Sequence, residues 1–231
     1  MFSFPTAFLD DPEFFLKCLA GLGALVAFSV GLHQYHRSQL WKRKEFLGAE
    51  VATFLRDPDV RNALLMVDWS ARRIPFDRTS DRSSWPRVTR ETQVAALQPH
   101  ILRTERQVVA DGEPRRFSSL EAQIRDTFDT FLDGLERLHA FSESGLYDTN
   151  ELTPYLRYWV RDMTRTDGSA EDARWRLALL TYVHFYEFTG VQRLLGALAV
   201  DVRVGGPLWR ALSLRDPDLA RSLESTVLED S

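Results

Sequence analysis

The chain has 231 residues, with 29 Lys and Arg against 33 Asp and Glu, for a formal net charge of −4. That length can bury a sizeable core, and the acidic excess excludes a generally basic nucleic-acid binder. The single cysteine, Cys18, excludes a disulfide framework and any Cys-rich zinc or iron–sulfur site.

The first element in chain order is an apolar run, FFLKCLAGLGALVAFSVGL, from Phe14 to Leu32. As a helix it spans roughly 28 Å, close to the hydrocarbon thickness of a bilayer. Its one charge, Lys17, lies near an end, where a long side chain can snorkel to the interface. A cleavable signal peptide would begin on basic residues and end on a small-residue cleavage site. Here the start carries Asp10, Asp11 and Glu13, and the run leads into His33, Tyr35, His36, Arg37 and Trp41. The reading is an N-terminal tail and single uncleaved transmembrane helix within residues 1–36, the span itself being 14–32. Arg37, Lys42, Arg43 and Lys44 follow the span, against Lys17 alone at its other end. The positive-inside rule then predicts an inner (plasma) membrane protein with its N-terminus outside and its C-terminal domain cytoplasmic. Gly23, Ala27 and Gly31 fall at i, i+4 and i+8, a small-residue stripe that would let two such helices associate.

Beyond the anchor the apolar residues keep a helical period. Juxtamembrane helices are expected over 37–69: Leu40, Phe46, Leu47, Val51, Phe54 and Leu55 run up to Asp57-Pro58, a cap followed by a first-turn proline. Val60, Ala63, Leu64, Val67 and Trp69 then form a second apolar face. Residues 70–88, with Pro75, Pro86 and many Ser and Arg, read as an Arg-rich loop. A helical domain is expected over 89–223, followed by an acidic tail at 224–231. It begins with a helical stretch from Thr89 to Arg106 and a polar turn at Asp111-Gly112-Glu113-Pro114. Ser118 and Glu121 have capping-box spacing, with Ile124, Phe128, Phe131, Leu135, Leu138 and Phe141 on one face and Gly145 at the end. Asp148 or Thr149 opens the next helix, with Leu152, Tyr155, Leu156, Trp159, Val160 and Met163 inward. Ser169 opens another, through Trp175, Leu177, Leu180, Val183 and Phe188, and a last stretch covers Val191 to Val200. With no alternating strand pattern of useful length, the class is all-α. The two RDPD tetrapeptides, 56–59 and 215–218, read as paired N-caps rather than a duplication.

The stretches DPDVRNALLMVDWSARRI from Asp57, IRDTFDTFLDGLERLHAFSESGL from Ile124 and PYLRYW from Pro154 resemble a pattern in a group of uncharacterised bacterial single-pass membrane proteins with a cytoplasmic helical domain. The likeness covers roughly residues 41–160. It implies a membrane-anchored bacterial helical protein and attaches no activity.

The helical hairpin from Ile124 to Trp159 is superficially like an EF-hand. Placing Gly145 at loop position 6 puts Asp148 and Glu151 where calcium ligands belong, but Ala140, Ser142 and Ser144 occupy positions that need stronger oxygen donors. A capped hairpin without calcium explains the same residues. Residues 121–151 carry eight acidic against two basic side chains, a net −6. This is a solvated face or a docking surface for a basic partner, with Asp129, Asp133 and Glu136 as the expected contacts. Residues 70–90 carry six Arg against two Asp, a net +4, with Arg72, Arg73 and Arg82 as the expected contacts. Interleaved Phe76 and Trp85 would suit nucleic acid or lipid headgroups. Arg supplies 26 of the 29 basic residues, so such clusters arise from composition alone, and lipid or an intramolecular acid is favoured over nucleic acid. His184 and Glu187 stand at i and i+3, but a carboxylate-bridged metal site takes such pairs from two or more helices. No P-loop, dinucleotide fingerprint, HExxH or nucleophile elbow is present. The expectation is a membrane-anchored interaction or adaptor protein without a cofactor or catalytic activity, working on a protein partner or by self-association. The alternatives are an anionic-lipid or nucleic-acid binder using the Arg loop, and a metalloprotein or enzyme centred on His184 and Glu187.

Overall fold

The computed structural model describes residues 12–77, 79–99, 117–198 and 200–229. Among them the chain is all-α apart from one short β-hairpin. The expected polar turn at 111–114 and the tail residues 230 and 231 lie outside the described residues, as do His100 and Arg78. The chain divides into two compact units between Gly48 and Ala49, so the 37–69 segment is shared between them.

The first helix, α1, is assigned over Pro12–Arg56. Its apolar part is long and hydrophobic enough to cross a membrane, and none of that window is buried against protein. Leu16, Leu19, Leu22, Leu25, Val26, Phe28, Val30 and Leu32 are all exposed. Gly23 and Gly31 have open space where a Cβ would stand, and Ala27 is exposed as well.

The second unit is built on locally encoded helix starts. Asp57 accepts from the amides of Asp59 (2.8 Å) and Val60 (3.3 Å), with Pro58 opening α2 (Pro58–Asp68). The second RDPD repeats the solution, Asp216 accepting from Leu219 N at 3.0 Å ahead of α9 (Pro217–Glu229). Reciprocal capping boxes start α4 (Ser119–Glu143) with Ser118 and Glu121, α5 (Thr149–Thr164) with Asp148 and Glu151, and α6 (Ala170–Phe185) with Ser169 and Asp172. Asp148 and Glu151, the nominal calcium ligands, are thus committed to satisfying helix amides. Gly145, after the end of α4, takes φ +75°, a conformation glycine adopts without a Cβ penalty.

Three expectations are corrected. Residues 70–88 are not loop throughout: β1 (Ala71–Arg73) and β2 (Arg87–Thr89) pair antiparallel, with Arg72 opposite Val88. Strands of three residues are too short to leave an alternating signal, yet the hairpin buries Ile74 and Val88. The helix from Thr89 is capped by Thr89 and Thr92, but α3 (Arg90–Leu97) ends at Leu97, and residues 100–106 of the expected stretch lie outside the described residues. Gln98 is extended because it precedes Pro99, whose ring disfavours the α conformation in the residue before it. Finally, Trp69 and Tyr155 are not inward-facing. Trp69 follows the end of α2 in extended conformation, beyond the reach of the helical period, and is 52% exposed. Tyr155 is 44% exposed.

Two central helices organise the packing. α4 packs on α2, α3 and α7 (Thr189–Ala197), burying Ile124, Phe128, Phe131, Leu135 and Leu138. α6 is enclosed by α3, α7, α8 (Pro207–Ser213) and α9, and everything from Trp175 to Val183 is buried. At the α4 surface Gly134 lets Phe54 lie flat, since a Cβ there would fall 2.5 Å from the ring. Phe54 in turn stacks on Phe131 at 5.9 Å between centroids.

Candidate functional site

The acidic face of α4 divides once its partners are seen. Asp129 accepts a 2.5 Å hydrogen bond from the Tyr182 hydroxyl on α6. Burial raises its carboxyl pKa, opposed by that hydrogen bond and by the nearby Arg125 guanidinium. The same burial, together with Asp129, pushes the Tyr182 phenol far above its ordinary value. Glu136 accepts from Val191 N at 2.7 Å, capping α7, whose own N-cap residue, Phe188, makes no side-chain cap. Gly190 allows that approach, since a Cβ there would lie 2.6 Å from a Glu136 oxygen. Asp133 alone of the three is exposed. The face therefore serves largely to fasten α4 to α6 and α7.

The arginines follow a parallel rule. Arg90, 4% exposed, donates to Met66 O (2.7 Å) and Val67 O (3.0 Å) at the end of α2, and its Nε bonds Asp172 at 3.0 Å. Its guanidinium also lies 4.0 Å over the Trp175 ring. Burial works to raise the Asp172 pKa, but the Ser169 and Arg90 hydrogen bonds outweigh it and hold the carboxyl below its ordinary value. Arg125 donates to Ala96 O (2.8 Å) and Gln98 O (3.3 Å) at the end of α3, while Arg176 donates to Asp162 O (3.0 Å) on α5 and to Asp167 O (3.1 Å) beyond it. Each of the three supplies donors to carbonyls that a helix leaves unsatisfied at its C-terminal end. Spacing along the chain could not reveal these roles, because each guanidinium comes from a different element than the carbonyls it meets.

In the Arg-rich segment the exposed Arg73 folds back along its own hairpin, donating to Ser83 O (3.0 Å) and Trp85 O (2.7 Å). Arg72 lies 5.0 Å over the exposed Trp69 ring, whereas Arg82 is exposed. Tyr158 of α5 is 51% exposed, and its hydroxyl works to lower the pKa of Asp68. Burial is the largest influence on Asp68, raising its pKa, and its Oδ1 is buried without a hydrogen-bond partner. Arg161 stands 5.8 Å over the Tyr158 ring. Trp69 with Arg72 and Tyr158 with Arg161 are thus two exposed aromatic–cationic pairs that the apolar pattern had concealed.

His184 Nε2 lies 2.7 Å from Val202 O. Glu187 is beyond the end of α6, exposed, with φ 55°, so the helical i, i+3 geometry assumed for the pair does not hold. Among the described residues no three His, Cys, Asp or Glu side chains gather as a metal site. A cavity of about 510 Å³ opens between the hairpin and the starts of α3 and α6, lined by Ser70, Thr89, Arg90, Glu91, Glu171 and Arg174. Its cations are already engaged, Arg90 as above and Arg174 with Asp216 at 2.8 Å. The Thr89 hydroxyl receives the Thr92 amide. No family model, curated protein or solved structure matches the chain.

Proposed function

We propose that this is a single-pass membrane protein whose helical domain works by protein–protein contact and carries no catalytic activity. The observation that carries the reading is the apolar length of α1, exposed on every side and matched to a bilayer. A helix without a polar face needs an apolar surrounding, and lipid supplies one. Orientation follows from the basic residues after the span, placing the helical domain on the cytoplasmic side of the inner membrane. The exposed Trp69 and Tyr158 with Arg72 have the residue chemistry that dominates protein interfaces. Asp133 and Arg82 are the remaining expected contacts that stand free at the surface.

A photo-crosslinking residue at position 69 or 158 of the full-length protein in intact membranes tests the contact reading. A discrete adduct, either a partner or a second copy, is expected, and its absence at both positions overturns it. A reporter fused after Ser231 tests topology, and periplasmic activity would reverse the orientation. Exposed Arg82 and Arg87 favour a second reading as a polyanion-binding hairpin. That reading predicts a steep loss of binding as salt rises from low to physiological levels.

A further inference from the structure

Beyond the apolar stretch, within the first unit, Gln34, Arg37, Ser38, Leu40, Trp41 and Lys44 share one exposed face of α1. Arg37, Trp41 and Lys44 are spaced i, i+4 and i+7, so they stand above one another over two turns. Trp41 is 71% exposed. Among the described residues neither Arg37 nor Lys44 has a carboxylate partner. At the other end of the apolar stretch Lys17 is paired with Glu13 at 3.3 Å. One end thus carries a neutralised cation and the other carries open ones. Lys42 and Arg43 point to other sides of the helix, and the acid on this face, Glu45, stands a turn beyond Trp41, on the side away from the apolar stretch.

We propose that this face binds the phosphodiester headgroup of an anionic glycerophospholipid, with Arg37 gripping the phosphate and the Trp41 indole, from the next turn out, packed back against the headgroup. The inference rests on the membrane reading above. Arg37 lies five residues past Leu32, roughly 7 Å along the axis, at the depth of the headgroup layer. Helical side chains lean toward the N-terminus, which here is back toward the bilayer, bringing Trp41 within reach of the same layer. A planar guanidinium suits the phosphate bidentately, and an amphipathic indole suits the headgroup layer just outside it. Lys44 lies roughly 18 Å past Leu32 and acts through its charge rather than by contact. The effects are therefore graded, with Arg37 first.

The full-length protein, reconstituted in vesicles of equal phosphatidylglycerol and phosphatidylcholine and then extracted into mild detergent, is analysed by native mass spectrometry. Retained phosphatidylglycerol should exceed phosphatidylcholine by about fivefold, the ratio that one basic residue at an anionic surface supplies. Arg37→Gln should bring the ratio near parity, Lys44→Gln should lower it partly, and Lys42→Gln should leave it unchanged. An equal loss in Lys42→Gln would mean diffuse charge attraction and would overturn the site. So would parity in the wild type, or loss of the enrichment to millimolar inorganic phosphate. Flotation with pure phosphatidylcholine vesicles keeps the two readings apart. Failure to float overturns membrane anchoring, whereas normal flotation with lipid parity overturns the headgroup site alone.

Discussion

The apolar part of α1 and the middle of α6 are alike in sequence, each a helix with hydrophobic residues on every side, and opposite in circumstance. In α6, residues Trp175 to Val183 are surrounded by four other helices. In α1, the large apolar residues from Leu16 to Leu32 are all exposed. An apolar period alone does not say whether protein or lipid will cover a helix. What differs is the neighbouring chemistry: α6 carries Arg176 among its buried residues and a capping box at its start, while α1 is flanked by basic and aromatic residues.

The sharpest way to break this comparison is truncation on the two helices. Trp175→Ala should destabilise the folded domain by about 3–5 kcal/mol through lost burial and the cavity left behind. Leu25→Ala should stay within about 0.5 kcal/mol. Denaturant unfolding of the full chain in micelles, followed by far-ultraviolet circular dichroism, reads both, and equal effects would erase the distinction. Next, Arg90→Met should cost about 3–5 kcal/mol by leaving Asp172 and two α2 carbonyls without their partner. The same unfolding curves check it.

Glycines sharpen the contrast further. Gly134→Ala forces a methyl into the Phe54 ring, and overpacking of this kind costs about 1–3 kcal/mol. Gly23→Ala and Gly31→Ala meet open space and should leave helix content unchanged or raise it. If those two instead weaken self-association in membranes, measured by crosslinking, the small-residue stripe is a helix–helix contact. The smallest expected effect is on acid stability. Asp172 has its pKa lowered from 3.8 in the folded state, so its contribution is complete above that unfolded value and is lost as pH falls through the lower folded one. Asp172→Asn should flatten the acid limb of a stability–pH curve over that window.

Much of the architecture could be read from local chemistry. Asp57, Ser118, Asp148 and Ser169 each announce a helix start because the cap and its partner lie within three residues. The candidate surface was far less legible. Asp129 and Glu136 look like solvated acids on a helix wheel, but their partners are Tyr182 and Val191, more than fifty residues away. A carboxylate at the edge of a helical face can meet solvent or the end of another helix, and only the tertiary arrangement decides. Trp69 was misplaced for a different reason, since it stands one residue past the point where the helical period ceases to apply.

The three arginines that satisfy helix ends from outside also bear on how the domain comes apart. The ends of α2, α3 and α5 are held by Arg90 on α3, Arg125 on α4 and Arg176 on α6. None of these ends can fray without releasing a neighbour's guanidinium, so local opening is coupled to loss of packing between helices. Loosening any one of these helices exposes the partner groups of the next. The helices from α2 to α6 therefore cannot be treated as separable modules, and that part of the second unit should open as one cooperative body rather than helix by helix.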